Sequence, residues 1–365
     1  MRRPAAVGLL ALLLCSVVGC DEPSTASRTH LSSGLVFVRV VGDSKEIVRA
    51  RIADGEERAV TLTPDRDERW PYWSEEANRL VFQVGLPGER NSSDLMLWNP
   101  ETRRETPLPP TPGREERWPG WSPDGRSIAY AFRGGAPGAG VALVFWRERR
   151  ITLIARSASN DFYLRPNFSP DGRLMVAQRL IAGPMRSSNL WLLSTEAETE
   201  PRPLTSDPEW NDSKAWFSRD GTQIIYTRRR AAGSDYSVWG IATAGGASYP
   251  IVAGADGSHS ARPSPARDEI AFVSNRDGSS DVFLADIDGG AQRSLQRSPD
   301  FNELAPRWSP DGEFVVVTRV DREVADFGSM SPRALAQARI AVLDRNGKQH
   351  FEAVGAMADW MPAWP

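Results

Sequence analysis

Cysteine is almost missing from this chain, and what there is sits at one end: Cys15 and Cys20 are the only two in 365 residues. From residue 21 onward no disulfide can form within one chain, so the fold must rest on buried apolar surface and hydrogen bonds. Histidine is equally scarce, with His30, His259 and His350 alone. No zinc-ligand spacing, phosphate-binding glycine loop or Gly-x-Ser-x-Gly elbow occurs. The catalytic inventory is therefore thin, and neither a metal nor an organic cofactor is expected. Charge of one sign is lacking too: 44 Lys and Arg against 47 Asp and Glu give a net charge of −3, without the basic footprint of a nucleic-acid-binding protein. The one long apolar run, Val7 to Leu14, is too short to span a bilayer comfortably.

That run belongs to a targeting segment. Arg2 and Arg3 precede it and Val17-Val18-Gly19-Cys20 follows it, the order of a secretory leader. The small Gly19 before a cysteine resembles a bacterial lipobox, which implies that Cys20 is acylated and becomes the first mature residue. Two acyl chains, at about 0.8 kcal/mol per buried CH₂, anchor stably where one does not. Residues 1–20 are thus expected to be a lipoprotein signal peptide, 21–33 a polar tether, and 34–365 the folded domain. An ordinary secretory signal with a chance cysteine is the alternative.

What the chain has in quantity is a repeat. Arg117 to Tyr130 reads as a hairpin, two short strands around Ser122-Pro123-Asp124-Gly125, where proline presets φ, the Asp side chain caps backbone N–H groups and glycine takes the positive φ. The unit recurs, and its aligned positions Trp73, Trp121, Phe168, Phe217, Pro263, Trp308 and Trp364 lie 48, 47, 49, 46, 45 and 56 residues apart. A strand-filled period of that size means a propeller or related array. Ala271 to Leu295 supplies the other strands of one unit, separated by Asn/Asp/Gly/Ser turns, so each period holds four strands. A chain this long buries roughly 75% of its unfolded surface, enough for such a core.

This wording, Pro-x-Trp-Ser-Pro-Asp-Gly followed by Asp-Ile-Asp-Gly-Gly at Asp286 to Gly290 and a Leu-Thr ending at Leu62-Thr63 and Leu204-Thr205, resembles the TolB-type β-propeller repeat, a relative of the WD-type repeat. The expected fold class is all-β, a propeller of seven four-stranded blades. Six blades start near residues 71, 119, 166, 215, 261 and 306. The seventh is shared by the termini: residues 34–63 give three strands and Met361 to Trp364 the fourth, which closes the ring without exposed edges. Six blades, the number usual for TolB itself, is the alternative. Ser74-Glu75-Glu76-Ala77-Asn78 and Ser264-Pro265-Ala266-Arg267-Asp268 depart from the turn pattern and predict altered hairpins. Insertions are expected at Gly134 to Gly140 and Asp321 to Ala338, the second with a short helix near Ser331 to Gln337.

Trp73, Trp121, Phe168, Phe217 and Trp308, inside the first strand of each period, read as core between blades. The residues before those strands border one mouth of a propeller channel. They are Glu68-Arg69-Trp70, Glu116-Arg117-Trp118, Arg165, Asp212 with Lys214, His259, Glu303, and Asp359-Trp360. Acids, arginines and tryptophans there suit a protein or peptide partner. The plainer reading makes the acids ties between neighbouring blades and the tryptophans packing. The basic clusters Arg147, Arg149, Arg150 and Arg228 to Arg230 read as solvated surface. Asn275, Asp277 and Asp281 sit in isolated turns without the remainder of a calcium loop.

The resemblance implies a non-enzymatic binding propeller of the bacterial cell envelope, facing the periplasm and lipid-anchored to the inner or outer membrane, with a protein partner there. The separate N-terminal domain of TolB is not expected here, which weakens any assignment to the Tol system. Peptidases with propellers carry a hydrolase domain after the blades, and that activity is not expected either. A propeller enzyme acting on polysaccharide, lyase or hydrolase, and a carbohydrate-binding propeller are the rival readings. A cluster of His259 with two carboxylates would favour the enzyme.

Overall fold

The computed structural model describes residues 34–86, 93–111, 115–134, 138–157, 161–181, 187–196, 199–233, 235–254, 257–322 and 332–362. Cys20, the leader and the tether lie outside them, as does Trp364. Antiparallel pairing sorts the described strands into seven sets of four. Five are separate sheets. The other two share one eight-stranded path because a single parallel bridge, Lys45 opposite Asp67, joins them.

The innermost strand of each blade begins earlier than the sequence suggested, at Asp67–Ser74, Glu115–Trp121, Phe162–Phe168, Trp210–Phe217, His259–Pro263, Phe301–Trp308 and Ala356–Met361. The residues expected to form loops before these strands lie within them. A β-bulge explains this: register shifts at the same place in six hairpins, between Arg69 and Tyr72, Arg117 and Gly120, and their counterparts. At the bulge the prolines Pro71, Pro119, Pro166 and Pro306 leave no ladder hydrogen bond unmade, so the strand runs on through them.

The closing blade is shared by both ends of the described chain, but four residues earlier than expected. Ala356–Met361 pairs with Gly34–Val41, Gly34 standing opposite Met361. Trp360 therefore takes the place of Trp73, Trp121 and Trp308, 52 residues beyond Trp308. Its indole donates to the Arg307 carbonyl at 3.3 Å, as Trp121 does to Tyr72 (3.0 Å) and Trp308 to Arg262 (2.9 Å). Each of these rings ties its blade to the backbone of the preceding one. The first Leu-Thr ending also shifts. Thr61, not Thr63, takes the Ile47 amide on its hydroxyl, as Thr205 takes that of Leu190, while Leu62 is exposed.

Four hairpins share one turn. In the first, the Ser122 hydroxyl donates to Asp124 (2.6 Å) and accepts from the Ser127 amide (3.0 Å); Ser169, Ser218 and Ser309 do the same. Gly125 is needed twice over, for its φ of 64° and because a Cβ there would meet the Ala77 amide of the preceding blade at 2.7 Å. The two divergent turns keep the serine: Ser74 accepts from Ala77, and Ser264 from Ala266 and Arg267.

The core is divided among the blade interfaces. Seven apolar clusters each draw on two neighbouring blades, such as Val81, Leu95 and Leu97 with Ile128, Tyr130 and Val144. Phe217 and Trp308 are buried, and Trp73, Trp121 and Phe168 pack half-buried on these clusters. An eighth cluster seats the one described helix, α1 (Pro332–Gln337), through Ala334 and Leu335 against Val320 and Ala356. The helix thus covers the seam of the ring.

Candidate functional site

Numbering each inner strand from its bulge exposes two rows of side chains. Two residues before the bulge stand Glu68, Glu116, Tyr163, Asp212, Ser258 and Glu303. These are buried and tied into the blades, so the four acids do not form an open rim. Asp212 takes both arms of Arg228 from the next strand, at 2.8 and 2.9 Å, and Glu303 takes Arg319 at 3.1 Å. Arg228, expected on the surface, is accordingly buried, with its guanidinium 4.8 Å from the Trp239 ring centre. Glu68 accepts from the Thr63 hydroxyl and Glu116 from the Thr111 amide at 2.6 Å. Burial pushes both carboxyls up to about 7, against those hydrogen bonds. Arg69 pairs with Asp67 at 2.7 Å and Arg117 with Glu115.

At the bulge and two residues beyond it the side chains turn to the channel. Trp70, Trp118 and Arg165 occupy the bulge itself, and Tyr72, Asn167, Trp216, Arg262 and Arg307 follow two residues on. Together they line a cavity of about 440 Å³ whose wall continues to the Ser-Pro turns at Pro123, Pro170 and Pro265. The cavity thus runs toward the hairpin-turn end of the channel, away from the mouth at which the sequence placed it. Of the residues named for that mouth, only Trp70, Trp118 and Arg165 line it. The physical cause is the bulge, which breaks the alternation of faces along the strand.

Aromatic rings and guanidiniums meet in pairs around this space. Arg165 reaches past the intervening blade to lie 5.3 Å from the Trp70 ring centre, and Arg262 lies 3.4 Å from that of Trp216. Arg307 lies 4.5 Å from the Tyr72 ring, donates to its hydroxyl at 2.8 Å and approaches Asp359 at 3.5 Å. Asp359 is therefore not a member of the acid row: it stands two residues beyond its bulge and also accepts from the Trp73 amide at 3.1 Å. Trp360 is buried between blades, as described above.

Lys214, Ser260 and His259 form a chain. The ammonium donates to the Ser260 hydroxyl at 2.7 Å, and that hydroxyl lies 2.7 Å from His259 Nδ1. Burial, then the charge of Lys214, holds the imidazole down at about 3, so it is neutral and accepts at Nδ1. Burial with the charges of Arg165 and Arg262 lowers Lys214 to about 8. The remaining contact of His259 is an edge of Tyr236 at 5.6 Å. Among the described residues no three His, Cys, Asp or Glu gather to hold a metal.

Sequence reasoning missed Tyr72, Asn167, Trp216, Arg262 and Arg307. The signal was available: Tyr72, Asn167 and Trp216 lie two residues beyond Trp70, Arg165 and Lys214, and Arg262 and Arg307 hold the same place in their repeats.

The family model described as the TolB beta propeller domain matches residues 117–355. The uncharacterized peptidase YuxL of Bacillus subtilis (strain 168) is 32% identical over 107 residues, 28% of this chain. The chain spans only 16% of that relative's length. Among solved structures, TolB from Acinetobacter baumannii is similar at a TM-score of 0.53 and 16% identity, over 90% of this chain and 67% of that one. An oligogalacturonate lyase in complex with manganese is similar at a TM-score of 0.62 and 15% identity, over 86% and 83%. Identities this low speak for the fold alone.

Proposed function

The chain belongs to the TolB β-propeller domain family, and from that premise we propose a non-enzymatic binding propeller of the bacterial cell envelope that receives a protein or peptide partner in its channel cavity. One observation carries the reading: half-buried Trp70, Trp118 and Trp216 share one concave space with half-buried Arg165, Arg262 and Arg307 and the exposed Arg219. Tryptophan and arginine in a desolvated pocket are the residue types that carry most binding energy in protein interfaces. The polar groups that line this space are guanidiniums, the Tyr72 hydroxyl, the Asn167 amide and the turn serines Ser169, Ser218 and Ser264, and no histidine or carboxylate stands among its described lining residues. His259 is engaged with Ser260 and held neutral. Envelope anchoring rests on Arg2, Arg3 and the Gly19-Cys20 pair.

A photoreactive phenylalanine analogue at Trp118, introduced in intact cells, is expected to give an adduct with an envelope protein. The same analogue at Val354, exposed elsewhere, is expected to give none. The double substitution Trp70→Ala and Trp118→Ala should weaken capture at least about tenfold, or about 1.4 kcal/mol, with the circular dichroism of the parent. Equal adducts from both positions would overturn the reading, as would turnover of a peptide or polysaccharide by the parent. Cys20→Ser should release the protein to the soluble fraction; retention in the membrane would remove the lipid anchor from the proposal.

A further inference from the structure

The arginines of the cavity are not balanced. The guanidiniums of Arg165 and Arg262 make no hydrogen bond or ion pair with any described residue; each lies against an aromatic ring. Arg307 has Asp359 at the long distance of 3.5 Å, and that carboxylate also holds the Trp73 amide. Lys214 stands beside Arg165 and Arg262 with the Ser260 hydroxyl as its one acceptor among the described residues. Four cationic side chains thus converge with one carboxylate among them, in a protein whose net charge is −3. Half-buried cations in a low-dielectric cleft repel one another, and their field focuses on the cavity that Arg165, Arg262 and Arg307 line. Two buried arginines elsewhere are paired with acids, Arg228 with Asp212 and Arg319 with Glu303, and the contrast points to an acceptor from outside.

Resting on the partner-binding reading above, we propose that the cavity is a carboxylate-binding subsite that takes an acidic peptide segment, its carboxylates on Arg165 and Arg262. A planar guanidinium already laid on an aromatic face keeps its donor edge for a carboxylate and loses little rotamer freedom on binding. Trp118 supplies an apolar wall for the peptide's own stem. An extended peptide suits the space better than a bulkier chain, because side-chain carboxylates on flexible stems can reach two guanidiniums set on different blades.

The test uses the full chain and a fluorescein-labelled hexaglutamate amide, read by anisotropy. Hexaglutamate amide should bind and hexaglutamine amide should not. A hexaglutamine with a free C-terminal carboxylate separates a terminal carboxylate from acidic side chains as the source of the charge. Arg165→Gln and Arg262→Gln should each weaken hexaglutamate binding about tenfold or more, and Arg262→Lys less than Arg262→Gln. Arg126→Gln, on an exposed turn outside the cavity, should leave binding unchanged. The melting temperature of the unliganded variants should stay level or rise, because a repulsion is removed; a fall would assign these arginines to structure. The proposal is overturned if hexaglutamate binds the Arg165→Gln, Arg262→Gln double variant as well as the parent. It is also overturned if hexagalacturonate binds more tightly than hexaglutamate and loses affinity on the same substitutions, which would make the ligand a polyuronate. Failure to bind hexaglutamate, with the Trp118 adduct intact, defeats the carboxylate subsite and leaves the partner-binding reading standing.

Discussion

Two rows of charge run round the inner strands only a few residues apart, and the fold treats them oppositely. In the first, Asp212 with Arg228 and Glu303 with Arg319 meet at 2.8 and 3.1 Å across neighbouring strands. In the second, Arg165, Arg262 and Lys214 have no acidic partner among the described residues. Acids dominate the first row and cations and aromatic rings the second, and the telling difference is whether a charge is answered inside the chain. A paired buried charge is part of the scaffold, since breaking the pair strands its partner. A convergent set without counter-charge is a poor scaffold and a ready receptor, which is why the second row, and not the first, makes the candidate site.

The harshest way to test this division is to remove the strand that contributes to both sides of it. Deleting residues 356–365 takes away Asp359, the one acid of the channel row, and strips Trp360 and Met361 from the closing interface. Loss of a buried tryptophan alone costs about 3–5 kcal/mol, and opening the ring adds to that. Urea unfolding should show a much lower midpoint; a parental midpoint would mean the closing strand is dispensable.

A smaller effect isolates the first row. Asp212→Ala leaves Arg228 buried without its acceptor and should cost about 3–5 kcal/mol in the same measurement. A cost below 1 kcal/mol would show that the pair contributes little to the scaffold.

Next come the acids that lack a strong cationic partner. Glu68 and Glu116 are raised to about 7, so between about pH 4.5 and 7 the folded protein keeps protons the unfolded chain has released. Stability therefore falls as pH rises through that window, and the loss is complete above it. Glu68→Gln with Glu116→Gln should raise stability by about 1–3 kcal/mol at pH 8 and leave it unchanged at pH 4.5. A gain independent of pH would point to packing instead.

The smallest change is expected in the second row. Asp359→Asn removes its only acid while keeping an acceptor for the Trp73 amide; stability should fall by about 1 kcal/mol or less, and hexaglutamate should bind more tightly. Weaker binding would break the contrast between the rows.

The repeat, its four strands and its turn chemistry were legible in the sequence because each is written in local residues: Ser122-Pro123-Asp124-Gly125 states its own geometry. The closing register was not. Pro362-Ala363-Trp364 matches the Pro-x-Trp of Pro71 to Trp73, yet the position before the paired residue needs only a small buried side chain, and Ala215, Ala261 and Ala358 fill it as well as proline. The site was half legible. Trp70, Trp118 and Arg165 stood out by composition, but the bulge that turns Arg262 and Arg307 to the same cavity leaves no glycine to announce it. Which acids would find an arginine was equally hidden, because Arg228 and Arg319 come from the next strand and read locally as surface.

The bulge itself has a consequence for how such a ring can change. Trp70, Trp118, Arg165, Lys214, Ser260, Ala305 and Met357 all hold φ between 50° and 57°, a left-handed conformation that favours none of these side chains over glycine. The same main-chain posture is thus held by seven unrelated residues, so it is dictated by the blade and indifferent to what it carries. Each blade presents one interchangeable socket to the channel, insulated from the interfaces that hold the ring together. A lineage can rewrite the chemistry of the cavity one socket at a time, charge for ring or ring for methyl, while every blade keeps its fold.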